Sequence, residues 1–284
     1  MQMNAVYTIR QMMIQACIVL IAVSVVSSNR AYGQNKLTAI LFKNVRIFDG
    51  NASAVTPPSY LLVEGDTIAK ISSEPISSPD EYLTTVIDGK NRVLIPGLID
   101  AHYHSAGQYA NPDVDYGYNY IVAGVSASHI LLEGFTTVRD LGGPSFGLKK
   151  AIDDGIISGP RIYPSGAMIS QTGGHGDSRS WNELNPKFGG NVPLKELNGG
   201  SVIVDGRTEV LAAVREQLRH GASQIKLATT GGAGSEYDPI DGLQFTLDEI
   251  KAAVEVASDW GTYVTVHNYT PEGARRANLR RGER

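Results

Sequence analysis

The chain has 284 residues, 42% of them apolar and 19% charged, with 31 glycines and a formal net charge of −4. Such proportions describe an ordinary globular protein, and the negative balance argues against nucleic acid as a general partner. The length accommodates one large domain plus a small one, or a single α/β barrel of the usual size.

Arg10 gives a positive start to a run from Met12 to Val26 that is apolar apart from Gln15 and Ser24. The run is too short for a membrane span of roughly 20 residues. It is followed by the polar Ser27-Ser28-Asn29-Arg30 and the small-x-small pattern Ala31-Tyr32-Gly33. Residues 1–33 are therefore expected to be a secretory signal peptide, with an uncleaved anchor as the alternative. The mature chain would begin near Gln34 and be periplasmic or secreted, of bacterial type, with no stable membrane insertion. Cys17, the only cysteine, lies inside the apolar run, which disfavours a lipoprotein signal. Cleavage would leave no thiol, as suits an oxidising compartment. Losing Arg10 and Arg30 would take the charge from −4 to −6.

Residues 34–95 read as a small β-sandwich-like module of short strands. Ala39 to Phe48 alternates and stops at Asp49-Gly50. Tyr60 to Val63 and Thr67 to Ile71 flank Glu64-Gly65-Asp66, a hairpin turn signal. Thr84 to Asp88 runs into the turn Gly89-Lys90 before Val93 to Ile95.

From there the rhythm is strand, helix, strand, helix, which predicts a parallel sheet covered by helices and, over residues 96–284, part of a (β/α)₈ TIM-type barrel. The strand candidates are Leu94 to His104, Thr136 to Leu141, Arg161 to Ile169, Gln224 to Ala228 and Tyr263 to His267. Helical patterns cover Tyr120 to Glu133, Gly147 to Ile157, Thr208 to His220 and Thr246 to Trp260. Thr208 and Thr246 are expected to start their helices, and Gly134, Gly155, Gly221 and Gly261 to end theirs in the left-handed conformation. About five βα units result. Ser170 to Arg207, glycine-rich and weakly periodic, is expected to be a long loop over the barrel mouth.

The chemistry gathers at strand ends. His102 and His104 are two apart, so their rings share a face, with Asp100 below them. Two imidazoles at the end of an apolar strand make a chelating pair for zinc or a similar ion.

The stretch Ile95-Pro96-Gly97-Leu98-Ile99-Asp100-Ala101-His102-Tyr103-His104 resembles the signature of the amidohydrolase superfamily. The resemblance continues through Gly134 to Asp140, Gly159-Pro160-Arg161-Ile162, Ile225-Lys226 and Val264 to His267. It is nearest the imidazolonepropionase-like branch, which includes Xaa-Pro and Xaa-Arg dipeptidases. The resemblance implies a metal-dependent hydrolase that cleaves a C–N bond of an amide, peptide or cyclic amide. Its cofactors would be two divalent ions, zinc first among them, sharing an activated water. His102 and His104 would bind the inner metal and His267 the outer. Lys226 would bridge both as a carbamate formed from CO2, chemistry that requires a neutral amine. The substrate would be a small amide or dipeptide, with His175 and Tyr237 as loop contacts. The oligomeric state is left open.

A histidine of a sixth strand and a general-base aspartate of an eighth, both implied by the resemblance, have no counterpart here, so the catalytic base is unassigned. From Pro271 onward the chain carries Arg275, Arg276, Arg280, Arg281 and Arg284 with little apolar face beyond Ala277 and Leu279. This reads either as a solvated basic helix end or, as favoured here, as a reading frame lost near Ala277. The chain by itself is accordingly expected to be inactive. An inert exported fragment and a relative hydrolysing esters or lactones stand as alternatives. His129 and His220 are expected to be surface or packing residues, and Arg139 and Asp140 a structural pair.

Overall fold

The computed structural model describes residues 37–77, 82–106, 111 and 113–278. The expected signal segment and the arginines from position 280 onward lie outside the described residues. Among the described residues, no helix is long and apolar enough to cross a membrane. The chain divides into two compact units at Pro96/Gly97.

In the first unit, β1 (Leu37–Ile47) is central. It pairs antiparallel with β2 (Ser59–Glu64) and parallel with β4 (Tyr82–Asp88), and its last two residues pair with β5 (Val93–Leu94). β2 turns through Gly65-Asp66 into β3 (Thr67–Ser72), so the hairpin forms where its turn signal lies. The described strands make one five-stranded sheet and not two packed layers. Apolar clusters form on both of its faces, Ala39, Leu41 and Leu62 in one and Val45, Ile47 and Leu61 in the other, because the register of β1 shifts between Phe42 and Val45, where Asn44 has φ 55°, and the odd-numbered side chains change face.

The second unit is an incomplete (β/α) barrel. β6 (Leu98–Tyr103), β7 (Phe135–Asp140) and β8 (Arg161–Pro164) form one parallel sheet; β9 (Met168–Ser170), β10 (Ser201–Ile203), β11 (Ile225–Ala228) and β12 (Val264–His267) form a second, in the order β10-β9-β11-β12. The strand expected over Arg161 to Ile169 is thus two strands, broken at Ser165-Gly166-Ala167 with Gly166 at φ 70°. The break lets one chain segment serve both sheets. Gln224 stitches the sheets together: its Nε2 donates to the carbonyls of Asp140 and Tyr163 at 2.9 and 3.0 Å.

Helices cover the outer face: α1 (Tyr116–Leu132), α2 (Phe146–Asp153), the one-turn α3 (Leu194–Leu197), α4 (Arg207–Arg219), α5 (Leu247–Asp259) and α6 (Pro271–Ala277). All four expected helix-ending glycines adopt positive φ, between 71° and 99°. Thr246 caps α5 in a reciprocal box with Glu249. Thr208 does not cap α4; the cap position is Gly206, and Thr208 lies inside the first turn. Ile225, Leu227, Val264 and Val266 pack outward against Val210, Val214, Ile250 and Val256 of α4 and α5. Alternation therefore points Lys226 and His267 to the inner side.

Two further expectations need correction. The supposed loop from Ser170 to Arg207 contains β10, a short 3₁₀ turn at Pro186–Phe188 and α3. Their brevity gives no periodicity long enough to read. Arg139 and Asp140 do not pair, because neighbours on a strand face opposite ways. Asp140, fully buried, accepts N–H bonds from Ser105 at 2.6 Å and Gly142 at 3.2 Å. Arg139 donates to the Ala101 carbonyl at 2.7 Å and to the Tyr263 hydroxyl at 3.3 Å. His129 ends α1 and His220 caps α4 against Phe146 and Glu216, so both serve packing and surface.

Candidate metal centre

A cavity of about 560 Å³ opens at the C-terminal ends of the barrel strands, lined by His102, His104, His175, Lys226 and His267. β6, β11 and β12 bring His102, Lys226 and His267 there, and the segments after β6 and β9 bring His104 and His175. In the parallel register Lys226 lies opposite Thr265 and Ala228 opposite His267, so Lys226 and His267 share the inner face one pleat apart. His104 stands just beyond the end of β6, not in the strand, which ends at Tyr103. Asp100 turns back on its own strand, its Oδ1 accepting the His102 N–H at 2.9 Å.

Each of three histidines has one ring nitrogen committed to an oxygen. His104 Nδ1–H donates to the Gly142 carbonyl at 3.0 Å, and His267 Nε2–H to the Gly231 carbonyl at 3.2 Å. His175 Nδ1 lies 2.6 Å from Ser235 Oγ and 3.3 Å from Asp238 Oδ2. A carbonyl can only accept, so His104 keeps Nε2, and His267 keeps Nδ1, as a free lone pair. Fixing one nitrogen in this way is what orients a metal-ligating imidazole.

Burial, with repulsion from His175 and Lys226, lowers His267 to about 4. Burial also lowers His102, reinforced by the charges of Lys226 and His104. For His175 burial outweighs the opposing pull of Asp238 and again lowers the ring. The three rings are thereby held in the neutral, metal-competent form.

Lys226 is 2% exposed, and among the described residues its Nζ has no hydrogen-bond partner. Burial, then repulsion from Arg139, brings the amine down to about 8. A buried, unpartnered amine is costly as a cation, and a divalent ion with a bridging carbamate would resolve that cost. The donor set thus fits the implied metals: neutral imidazoles with free lone pairs around an amine poised to lose its proton. The arrangement remains open. The rings of His102 and His104 are 5.5 Å apart, while His175 stacks on His267 at 3.9 Å. Among the described residues no three His, Cys, Asp or Glu side chains converge closely enough to grip an ion.

Of the two loop residues expected to touch substrate, His175 lines the cavity. Gly232 makes this possible, since a Cβ there would collide with the His175 ring. Tyr237 lies elsewhere, 6.0 Å from Trp181 across a second depression of about 200 Å³ that also includes Asp177 and Arg179. Sequence reasoning missed Ser178, Lys195 and Asn198, which line the main cavity from the long segment after β9. It also missed Asp238, buried behind His175. No motif marks them; they come into place only through the fold of that segment.

Comparison with known proteins bears directly on a partial barrel that gathers His102, His104, Lys226 and His267 at one cavity. The amidohydrolase family matches residues 93–283, and the chain belongs to that family. It is 36% identical over 239 residues to an ochratoxinase of Aspergillus niger, covering 75% of this chain and 47% of that protein. Among solved structures it is similar to a prolidase complexed with N-methylphosphonate-L-proline, with 33% identity and TM-score 0.75 over 84% of this chain and 58% of that one. It is also similar to a Xaa-Pro dipeptidase with methionine bound in the active site, with 32% identity, TM-score 0.70, and 84% and 59% coverage. The chain thus spans 47% of the curated relative and just under three fifths of these structures.

Proposed function

We propose that this chain carries the metal-binding part of a hydrolase of amide or dipeptide bonds. His102, His104 and His267 are its imidazole ligands, and Lys226, carboxylated by CO2, is its bridging ligand. The observation that carries the proposal is Lys226: fully buried, unpartnered, and on the same inner face as His267. Two divalent ions held there, zinc foremost, would supply an acidic water and polarise the carbonyl of the substrate.

The chain's own residues do the rest. The Gly142 and Gly231 carbonyls fix the ring orientation of His104 and His267. His175, anchored through Nδ1 to Ser235 and Asp238, has Nε2 free to hold or pass a proton, and the buried Asp238 carboxylate favours that proton. Leu141, Pro144 and Met168 form an apolar flank that limits water at the site. Among the described residues no carboxylate lines the cavity, so no general base is assigned. That observation favours a second reading, a metal-binding chain with little turnover of its own.

The test is the metal content of Lys226→Ala in bicarbonate buffer, read by elemental analysis beside the unaltered chain. Loss of most bound metal, with partial recovery when short carboxylic acids are added, is the expected result. Full metal content in the variant would overturn the bridging role. Hydrolysis of dipeptides and N-acyl amino acids by the metal-loaded chain separates the two readings, turnover of roughly 1–10³ s⁻¹ marking a working enzyme.

A further inference from the structure

The cavity has two chemically different sides. The barrel side carries His102, His104, Lys226 and His267, with His175 stacked on His267. The other side comes from the segment after β9 and presents Ser178, Leu194, Lys195 and Asn198. Lys195 is the cation of that second side. Among the described residues its ammonium has no hydrogen bond and no ion pair within 4 Å, in contrast with Lys149, Lys150 and Lys187, which all have carboxylate partners. The nearest carboxylates acting on it, Asp238 and Asp177, do so only through space, and each is engaged elsewhere, by His175 and by Arg179.

The backbone that holds Lys195 is firmly tied. Glu196 Oε2 accepts the Ile203 N–H at 3.0 Å, fastening α3 to β10. The Gly200 N–H donates to the Lys195 carbonyl at 2.8 Å, and the Gly200 carbonyl accepts from Met168 N at 3.2 Å, fastening it to β9. A Cβ on Gly200 would press on Lys195 Cγ at 3.0 Å, so glycine is what lets the chain close against the lysine stem. A positioned cation with no direct counter-charge among the described residues, at the edge of a substrate-sized cavity, is an unsatisfied electrostatic element. Ser178 and Asn198 beside it have side-chain donors without recorded partners among the described residues.

We propose that Lys195 is a specificity-determining residue that binds the free carboxylate of the substrate, with Asn198 and Ser178 as auxiliary donors and Leu194 and Met168 receiving an apolar side chain. The inference rests on the proposed amide hydrolysis for its meaning, but not for its test. It selects N-acyl amino acids or dipeptides with a free C-terminal carboxylate over their C-terminal amides. Burial lowers Lys195 from its usual range, and an arriving carboxylate would reverse that shift.

N-acetyl-L-leucine and N-acetyl-L-leucinamide, titrated calorimetrically into the full chain as purified and again after chelation, test the assignment. The carboxylate should bind about 10- to 100-fold more tightly than the amide, as expected of one charge-assisted contact. Lys195→Met should abolish that preference while leaving metal content unchanged, and Lys195→Arg should keep most of it. A preference that survives in Lys195→Met, or no binding of either ligand by the unaltered chain, overturns the proposal. A Lys195-dependent preference in a chain that hydrolyses nothing would sustain this inference while sinking the hydrolase reading.

Discussion

β6 and β11 look alike in sequence, each a short apolar strand bringing a metal-ligand candidate to the cavity, yet they differ in their surroundings. β11 lies between β9 and β12 under α4 and α5, and all four of its residues are buried. Among the described residues β6 pairs only with β7, and Leu98 and Ile99 are 43% and 69% exposed. The difference matters because the two ligand types need different things from the fold. An imidazole is half neutral near pH 6.5 in water and needs little burial to act as a ligand. A lysine amine is neutral only when the protein excludes solvent from it. The deeply packed strand is the one that carries the lysine.

The largest expected effect tests that contrast in packing. Leu227→Ala on β11 should cost roughly 2–5 kcal/mol, the usual range for emptying a buried leucine site. Ile99→Ala on β6 should cost under about 1 kcal/mol, since most of that side chain already meets water. Urea unfolding of the two variants reads both values. Equal losses would show that β6 is as well covered as β11 in solution.

The second test sharpens the contrast through pH. In the metal-free chain Lys226 releases its proton near 8, whereas in the unfolded chain it does so near 10.5. Between those values the unfolded state holds more protons, so stability climbs as pH rises through 8 and levels off above about 10.5. Below 8 the buried ammonium costs the fold about 3 kcal/mol. Lys226→Met should therefore stabilise the metal-free chain by up to about 3 kcal/mol at pH 7, with the advantage fading above pH 10. Unfolding midpoints at pH 7 and pH 10 decide it; an advantage of the same size at both pH values would mean that Lys226 is solvated.

The pattern of success in the sequence reading follows from the same physics. Helices of 13 to 17 residues, such as α1, α4 and α5, repeat their apolar face several times, and their closing glycines stand where the backbone must turn left-handed. His102, Lys226 and His267 stood out as cavity residues because each sets a polar side chain in or at the end of an otherwise apolar strand. The segment from Ser170 to Arg207 was not legible: its strand has three residues and its helix one turn, too few for any period to register. Lys195 therefore carries no signal in the sequence. That Tyr237 borders the second depression and not the main cavity was hidden for a related reason, since its position depends on how the loop after β11 folds around Asp238, which receives the Gly232 N–H at 3.0 Å. Arg139 and Asp140 were read as a pair from adjacency alone, although strand alternation forbids it.

The smallest expected effect sets the two helices covering β11 against each other. Thr246 and Thr208 both stand at the start of an apolar helical pattern with an acidic residue in the first turn, but only Thr246 has a glutamate three residues on, Thr208 having Leu211 there. At α5 the Thr246 hydroxyl accepts the Glu249 N–H, and Glu249 Oε2 accepts the Thr246 N–H at 2.7 Å, so two helix-start donors are satisfied together. At α4 the chain enters through Gly206 at φ 82°, with no side-chain cap, and the Gly206 N–H donates instead to Glu249 at 2.6 Å. Thr208 is exposed and bonds none of the helix-start donors. Thr246→Ala should cost about 1 kcal/mol, the usual value of a lost cap. Thr208→Ala should be neutral or slightly stabilising, because alanine is the better residue inside a first turn. Thermal unfolding of the two single variants checks this directly: equal losses would mean that Thr208 caps α4 in solution and that the helix begins at Glu209 and not at Arg207.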